Sequence, residues 1–119
     1  MLAGPLVTQT LGDLGAEVVK IERPGHGDDT RTWGPPWVGG DPEGGGATYY
    51  QSLNRNKRSI VIDLKRREGV ALLLELMRDA DVVAQNFRPG AVERLGIGYD
   101  DVRRINPEVV YVSISGFGE

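Results

Sequence analysis

Ser59-Ile60-Val61-Ile62-Asp63, then Glu68-Gly69-Val70-Ala71-Leu72-Leu73-Leu74-Glu75-Leu76-Met77, then Asp81-Val82-Val83-Ala84-Gln85 is the stretch on which the fold turns. The outer pieces are short and β-branched, which predicts strands. Between them Val70, Leu73, Leu74 and Met77 fall at i, i+3, i+4 and i+7, one stripe of a helix. Strand, helix and strand in such close succession imply a right-handed crossover and parallel pairing. Working outward, the alternation continues. Upstream, residues 17–22 predict a strand ended by Arg23-Pro24-Gly25. Before it, Pro5 suits the first position of a helix carrying Leu6, Leu11 and Leu14, with Gly15 as its stop. Downstream, Pro89 starts a short helix with Val92 and Leu95 inward, residues 99–105 give a further helical turn or two, and residues 109–114 form a fourth strand. The expected class is α/β, a Rossmann-like parallel sheet with helices on both faces. Residues 24–46 stand apart: they are rich in Gly and Pro, with Trp33 and Trp37 bracketing Gly34-Pro35-Pro36, and order returns at Tyr49-Tyr50. A stretch of that length without periodicity marks a functional or disordered segment.

Composition narrows what such a fold can serve. At 119 residues with 39% hydrophobic content, one core and one small domain are expected. Lys and Arg number 14 against 17 Asp and Glu, a net charge of −3, so nucleic acid is a poor partner. An anion would have to be captured by a few placed cations. There is no cysteine, which excludes disulfides, thiolate nucleophiles and Cys-based metal sites. The single histidine, His26, excludes a His-rich metal site. No apolar run approaches the roughly 18 residues needed to span a bilayer, and the amino terminus lacks the charged and apolar regions of a signal peptide. A soluble, cytoplasmic protein is expected.

Ligands of parallel α/β sheets collect beyond the carboxyl ends of the strands. Four segments arrive there: Arg23-Pro24-Gly25, Leu64-Lys65, Asn86-Phe87-Arg88-Pro89-Gly90 and Ser115-Gly116-Phe117-Gly118. Arg23 and Arg88 offer planar forks suited to phosphate, and Lys65 a point charge. Arg94 adds a fourth cation, on the helix whose free N–H groups would face the same place. Phe87 offers a stacking face for a purine. Together they suit a ligand with an aromatic base and several phosphates, a nucleotide or coenzyme A. Each has a plainer reading too. A strand-end arginine often caps a helix or pairs with a surface carboxylate, Lys65 with Arg66 and Arg67 could belong to a solvated turn, and Phe87 could be core. Lys57-Arg58 precede their strand and read as structural. His26 with Asp28 and Asp29 reads as a mobile or substrate-facing loop rather than a metal site, and Trp33 and Trp37 as pins for the loop. The acid Glu22, ending a strand, imitates the ribose-holding residue of a dinucleotide fold. That reading needs a Gly-x-Gly-x-x-Gly turn roughly 20 residues upstream, and Leu2-Ala3-Gly4-Pro5 lacks it.

A dozen blocks, in order, then carry a resemblance over practically the whole chain. They are Ala3-Gly4-Pro5, residues 11–17, Lys20-Ile21-Glu22-Arg23-Pro24-Gly25, Gly27-Asp28, Asn54-Arg55-Asn56-Lys57-Arg58-Ser59, Asp63-Leu64-Lys65, Glu68-Gly69, Asp81-Val82-Val83, Asn86-Phe87-Arg88-Pro89-Gly90, Leu95-Gly96, Asn106-Pro107 and Ser115-Gly116-Phe117-Gly118. The chain resembles the start of class III (CaiB/BaiF-type) CoA-transferases. The stretch 27–36 followed by Thr48-Tyr49-Tyr50 looks most like the dicarboxylate branch, of the succinyl-CoA:glutarate or hydroxymethylglutarate type.

The resemblance implies transfer of CoA between carboxylic acids through enzyme-bound anhydride and thioester intermediates on an aspartate. It implies acyl-CoA and a carboxylic acid as substrates, no tightly bound cofactor, and an interlocked homodimer for the full-length member. In a eukaryotic source it implies the mitochondrial matrix. It places Arg23 at the adenosine or 3′-phosphate end, Ile62 and Lys65 beside the nucleotide, Asn86, Phe87 and Arg88 along base and phosphates, and Arg94 on the phosphates. Departures matter as well. In the family a first strand and a helpful glutamine precede the Ala3-Gly4-Pro5 motif, where Met1-Leu2 stand here, and the nucleophilic aspartate lies well beyond the Gly-Phe-Gly motif. None of Asp28, Asp29, Asp63 or Asp81 takes its place, so no catalytic residue is named. Residues 1–119 are expected to be a partial, incomplete Rossmann-like CoA-binding domain of a longer enzyme, inactive alone, with an unpaired sheet edge. A non-catalytic CoA or nucleotide module and an α-methylacyl-CoA racemase are the other readings.

Overall fold

A computed structural model describes residues 2–44 and 46–118; Met1, Gly45 and Glu119, which includes both ends discussed above, lie outside the described residues. The chain forms two compact units, Met1–Val61 and Ile62–Glu119. Each contains one pair of parallel strands with helices in the crossover, so the α/β class and the parallel pairing hold. The strands form two pairs rather than one four-stranded ladder, each strand bonding to its neighbour in chain order.

In the first unit, helix α1 (Ala3–Asp13) precedes strand β1 (Val18–Glu22). Pro5 lies in the first turn, two residues inside the start, where its missing N–H still costs nothing. Gly15, at φ +100°, ends the helix. Its N–H donates to the Gly12 carbonyl at 3.1 Å and that of Ala16 to Leu11 at 3.0 Å, the paired bonds of a Schellman stop. An L side chain at positive φ is strained, so Gly15→Ala should lower stability by about 1–2 kcal/mol, read as a fall in the urea midpoint. An unchanged midpoint would mean that the stop does not depend on glycine.

Strand β2 (Lys57–Val61) pairs with β1 from Val18↔Lys57 to Glu22↔Val61. It begins two residues earlier than the sequence suggests, and Lys57 and Arg58 are its first residues. Asn56, at φ +61°, turns the chain there, and Gly12 leaves room for it, since a Cβ on Gly12 would stand 3.1 Å from the Asn56 carbonyl oxygen. The strand also ends earlier, so Ile62 and Asp63 lie just past its carboxyl end.

The Gly/Pro-rich segment is more ordered than expected. A 3₁₀ turn (Asp29–Thr32) is capped by Asp28, whose side chain accepts from the Thr30 N–H at 2.8 Å and its hydroxyl at 2.7 Å. Trp37 and Ala47 form an antiparallel bridge. The Val38 N–H donates to Gly46 at 3.0 Å and the Thr48 N–H to Pro36 at 3.2 Å, so an excursion is closed at its base. Trp37 packs against Gly34 of the same segment, where a Cβ would meet its ring at 2.4 Å. Trp33 is half-exposed and tilted against Tyr49, with ring centroids 5.5 Å apart. Helix α2 (Thr48–Asn54) follows, burying Tyr50 and Leu53.

In the second unit, helix α3 (Arg67–Arg78), strand β3 (Val82–Gln85), helices α4 (Ala91–Leu95) and α5 (Tyr99–Ile105) and strand β4 (Val110–Ser113) follow in order. β3 and β4 pair from Val82↔Val110 to Gln85↔Ser113. Val83, Val102 and Val109 form the core, with Leu74, Met77, Ala80 and Tyr111 packed on it. Leu73 is also buried, so the helical stripe faces inward as its spacing requires. The Asn106 amide donates to the Met77 and Ala80 carbonyls at 3.0 and 2.8 Å, tying the end of α3 and the residues just after it to the end of α5.

One boundary needs correction: Pro89 does not start a helix. The Ala91 N–H donates to the Arg88 carbonyl at 3.0 Å, and Gly90 sits at φ 77°, ψ −3°. That is a type II turn, with Pro at its second position and Gly at its third. The glycine's positive φ postpones the helix to Ala91.

Candidate functional site

Of the cations singled out from sequence, only Arg23 stands within two residues of a strand end; Lys65 is four residues past β2, Arg88 three past β3, and Arg94 is on α4. Arg23 directly follows β1 in the first unit. Ile62 directly follows β2, Lys65 comes three residues later, and Asn86, Phe87 and Arg88 directly follow β3; these lie in the second unit, with Arg94 on α4. Arg94 folds back over the Arg88–Ala91 turn, its Nη1 3.0 Å from where a Cβ of Gly90 would stand. The turn therefore brings Arg94 against the segment that carries Arg88. Lys65, Arg88 and Arg94 are exposed, and none holds an ion pair among the described residues. Phe87 is 47% exposed and is not core; its N–H donates to the Gln85 side chain at 2.8 Å, turning the chain out of the strand. Lys65 sits in a similar turn, its N–H donating to Asp63 Oδ1 at 3.0 Å. Ile62 is buried. Arg23 differs from the others, because its guanidinium pairs with exposed Asp29. The short α4 aims no extended helix end at these residues.

A second cluster, in the first unit, was not read from the sequence. Glu22 ends β1 with its side chain only 2% exposed. Its Oε2 accepts from Arg31 Nε at 2.7 Å and the Asp28 N–H at 2.8 Å; its Oε1 accepts from Arg31 Nη2 at 2.8 Å, Tyr50 Oη at 2.9 Å and Ser59 Oγ at 2.7 Å. The Arg31 guanidinium chiefly holds the Glu22 carboxyl well below the usual carboxylate range; burial opposes it, and Ser59, the Asp28 N–H and Tyr50 add to it. Burial, then the bond to Glu22, pushes the Tyr50 hydroxyl up to about 12. Glu22 has no oxygen to spare for a ribose, which removes the dinucleotide reading on physical grounds.

The network runs on. Lys20 Nζ donates to Asp28 Oδ2 at 2.5 Å and Asn54 Oδ1 at 3.1 Å. Lys57 Nζ donates to the same Asn54 oxygen at 3.1 Å and to the Pro5 and Leu53 carbonyls at 2.7 and 2.8 Å. Burial, then the Lys20 charge, pushes Lys57 down to about 8. Burial pushes the Asp28 carboxyl up, but Lys20 and Thr30 outweigh it and the net shift is downward. Asp28 is thus an inward structural group rather than part of a substrate-facing loop, and Asp29 is spent on Arg23. A signal for this cluster was present: on a strand, Lys20 and Glu22 share a face with Val18, so two opposite charges were bound for the covered side.

No helix among the described residues is long and apolar enough to cross a membrane. The family described as CoA-transferase family III matches the chain over residues 1–119. Succinyl-CoA:glutarate CoA-transferase of Homo sapiens is 51% identical over 119 residues, covering 100% of this chain and 26% of that protein. Succinate–glutarate CoA-transferase of Agrobacterium fabrum is 51% identical over 120 residues, covering 100% of this chain and 30% of that protein. The crystal structure of a CAIB/BAIF family protein from Brucella suis superposes with a TM-score of 0.89 at 50% identity, over 98% of this chain and 30% of that one. The chain spans about a quarter to a third of the length of these relatives.

Proposed function

This chain belongs to CoA-transferase family III, and on that premise we propose that it is the coenzyme A-holding part of an enzyme that moves CoA from an acyl-CoA to a carboxylic acid, a dicarboxylic acid above all. The observation that carries this reading is that Lys65 and Arg88, in the segments that follow β2 and β3, and Arg94, on α4, are exposed and hold no ion pair among the described residues of an otherwise acidic chain. Polyphosphate is the ligand that such a set suits, with Phe87 offering its ring to the base. Arg23 serves the 3′-phosphate end once it leaves Asp29, and an exposed ion pair of that kind costs only about 0–1 kcal/mol to open. Ile62, buried just past β2, backs the nucleotide from beneath, and Asn86 gives a polar contact. The nucleophilic aspartate belongs to another part of the enzyme, with CoA as substrate rather than resident cofactor. An interlocked homodimer and a cytoplasmic or mitochondrial-matrix setting complete the proposal.

Calorimetric titration with CoA and dephospho-CoA tests it. Arg88→Ala and Arg94→Ala should each weaken CoA binding by about 1–3 kcal/mol, the scale of a charge-assisted hydrogen bond. Arg23→Ala should erase the difference between the two ligands. Undiminished affinity in all three variants would refute the site.

A further inference from the structure

We propose that the outward edge of Arg31 seats a carboxylate of the acid substrate. This rests on the transferase reading above and adds the residue that recognises the acid.

Three observations carry it. The first is orientation. Arg31 Nε and Nη2 are both committed, to Glu22 and to Tyr50 Oη at 2.7 Å, and the Tyr50 ring lies 4.0 Å from the guanidinium carbon. Glu22 and Tyr50 thus lock the plane of the fork, so little side-chain freedom is left to lose when a ligand arrives. The second is access. Gly27 seals the inner side, since a Cβ there would stand 2.5 Å from Glu22 Oε2 and 3.0 Å from Arg31 Nε. Yet Arg31 is 43% exposed, and its Nη1 has no partner among the described residues. What remains open is one nitrogen with two N–H donors, a match for a single small anion rather than a polyphosphate.

The third is charge. In the hydrogen-bonded network Lys20, Lys57 and Arg31 stand against Glu22 and Asp28, three cations to two anions, which leaves one positive charge in excess. Lys20 and Arg31 flank the same Tyr50 ring, at 5.5 and 4.0 Å. A structural network gains from exact neutrality when buried. The excess sits on Lys57, which bonds only to neutral oxygens, while Arg31 is the exposed cation through which the network meets an incoming anion.

The test is a titration of the isotope-labelled 119-residue chain, following the guanidinium nitrogens of Arg31 by NMR. Glutarate should shift them saturably, dimethyl glutarate should not, and inorganic phosphate should bind at least tenfold more weakly than glutarate. Arg31→Lys, which keeps a cation beside Glu22 but lacks Nη1, should lose at least tenfold in glutarate affinity while its CoA titration stays unchanged. The idea fails if glutarate leaves the Arg31 signals in place, if the neutral diester shifts them equally, or if phosphate binds as well. It fails too if folded Arg31→Lys binds glutarate like the parent. Should that variant not fold, the three ligands on the parent chain decide the matter. Absent CoA binding would sink the transferase reading instead, and that outcome is read separately.

Discussion

Glu22→Ala should destabilise the first unit by about 1–3 kcal/mol, the cost of leaving buried donors without their acceptor, the half-exposed Arg31 being free to hydrate. The substitution strands the Arg31 fork, the Tyr50 and Ser59 hydroxyls and the Asp28 N–H, all of which donate to that one carboxylate. Urea unfolding followed through Trp33 and Trp37, both in this unit, gives the measurement. A loss under about 0.5 kcal/mol, the scale of an ordinary surface change, would show that the donors find other acceptors. Acid adds a second arm. Glu22 and Asp28 both have carboxyls lowered in the folded chain. Such groups contribute stability that is fully present above their unfolded values, near 4, and lost as pH falls through the folded ones. Stability should therefore decline below about pH 4, and less steeply in Glu22→Gln, which keeps the shape but has no proton to gain.

Gly69→Ala should also destabilise, by about 1–3 kcal/mol or more, although helix propensity alone argues the opposite by about 1 kcal/mol. Gly69 is in the first turn of α3. A Cβ there would stand 2.0 Å from the Asp63 carbonyl oxygen and 2.8 Å from its carbon, with Ile62 Cγ2 at 3.2 Å. Backbone atoms cannot swing aside as a flexible side chain would, so helix and strand-end segment must separate. A melting temperature at or above that of the parent would show that helix and segment part at little cost.

The strands and the stripe of α3 were legible because their periods are unambiguous. Val70, Leu73, Leu74 and Met77 admit only one amphipathic reading, and Gly15 marked the stop of α1 through the positive φ that glycine alone takes without strain. Helix α2 escaped notice because Thr48-Tyr49-Tyr50 opens on β-branched and aromatic residues, and Ala47 before it gives no capping side chain. Burial of Tyr50 and Leu53 overrides that weak propensity. Pro89 carried two meanings, helix start and turn, and Gly90 decided between them. The cations that follow the strands were visible as positions, because chain order and parallel pairing determine where strand ends fall. The Glu22 network was not visible, since its members come from β1, the 3₁₀ turn, α2 and β2, and no local rule links residues 22, 31, 50 and 59. Only the shared face of Lys20 and Glu22 hinted that charge was being buried.

The bridge between Trp37 and Ala47, with the Val38–Gly46 and Pro36–Thr48 bonds beside it, has a consequence for how this protein can diversify. Those bonds clamp the neck of the loop, and everything beyond the neck is held independently of its length. Loop-closure entropy grows by only about 0.6 kcal/mol per doubling, so residues 39–44 form a graft point. Added chain, even a short foreign peptide, would hang from the clamp without disturbing the carboxylate network at its root.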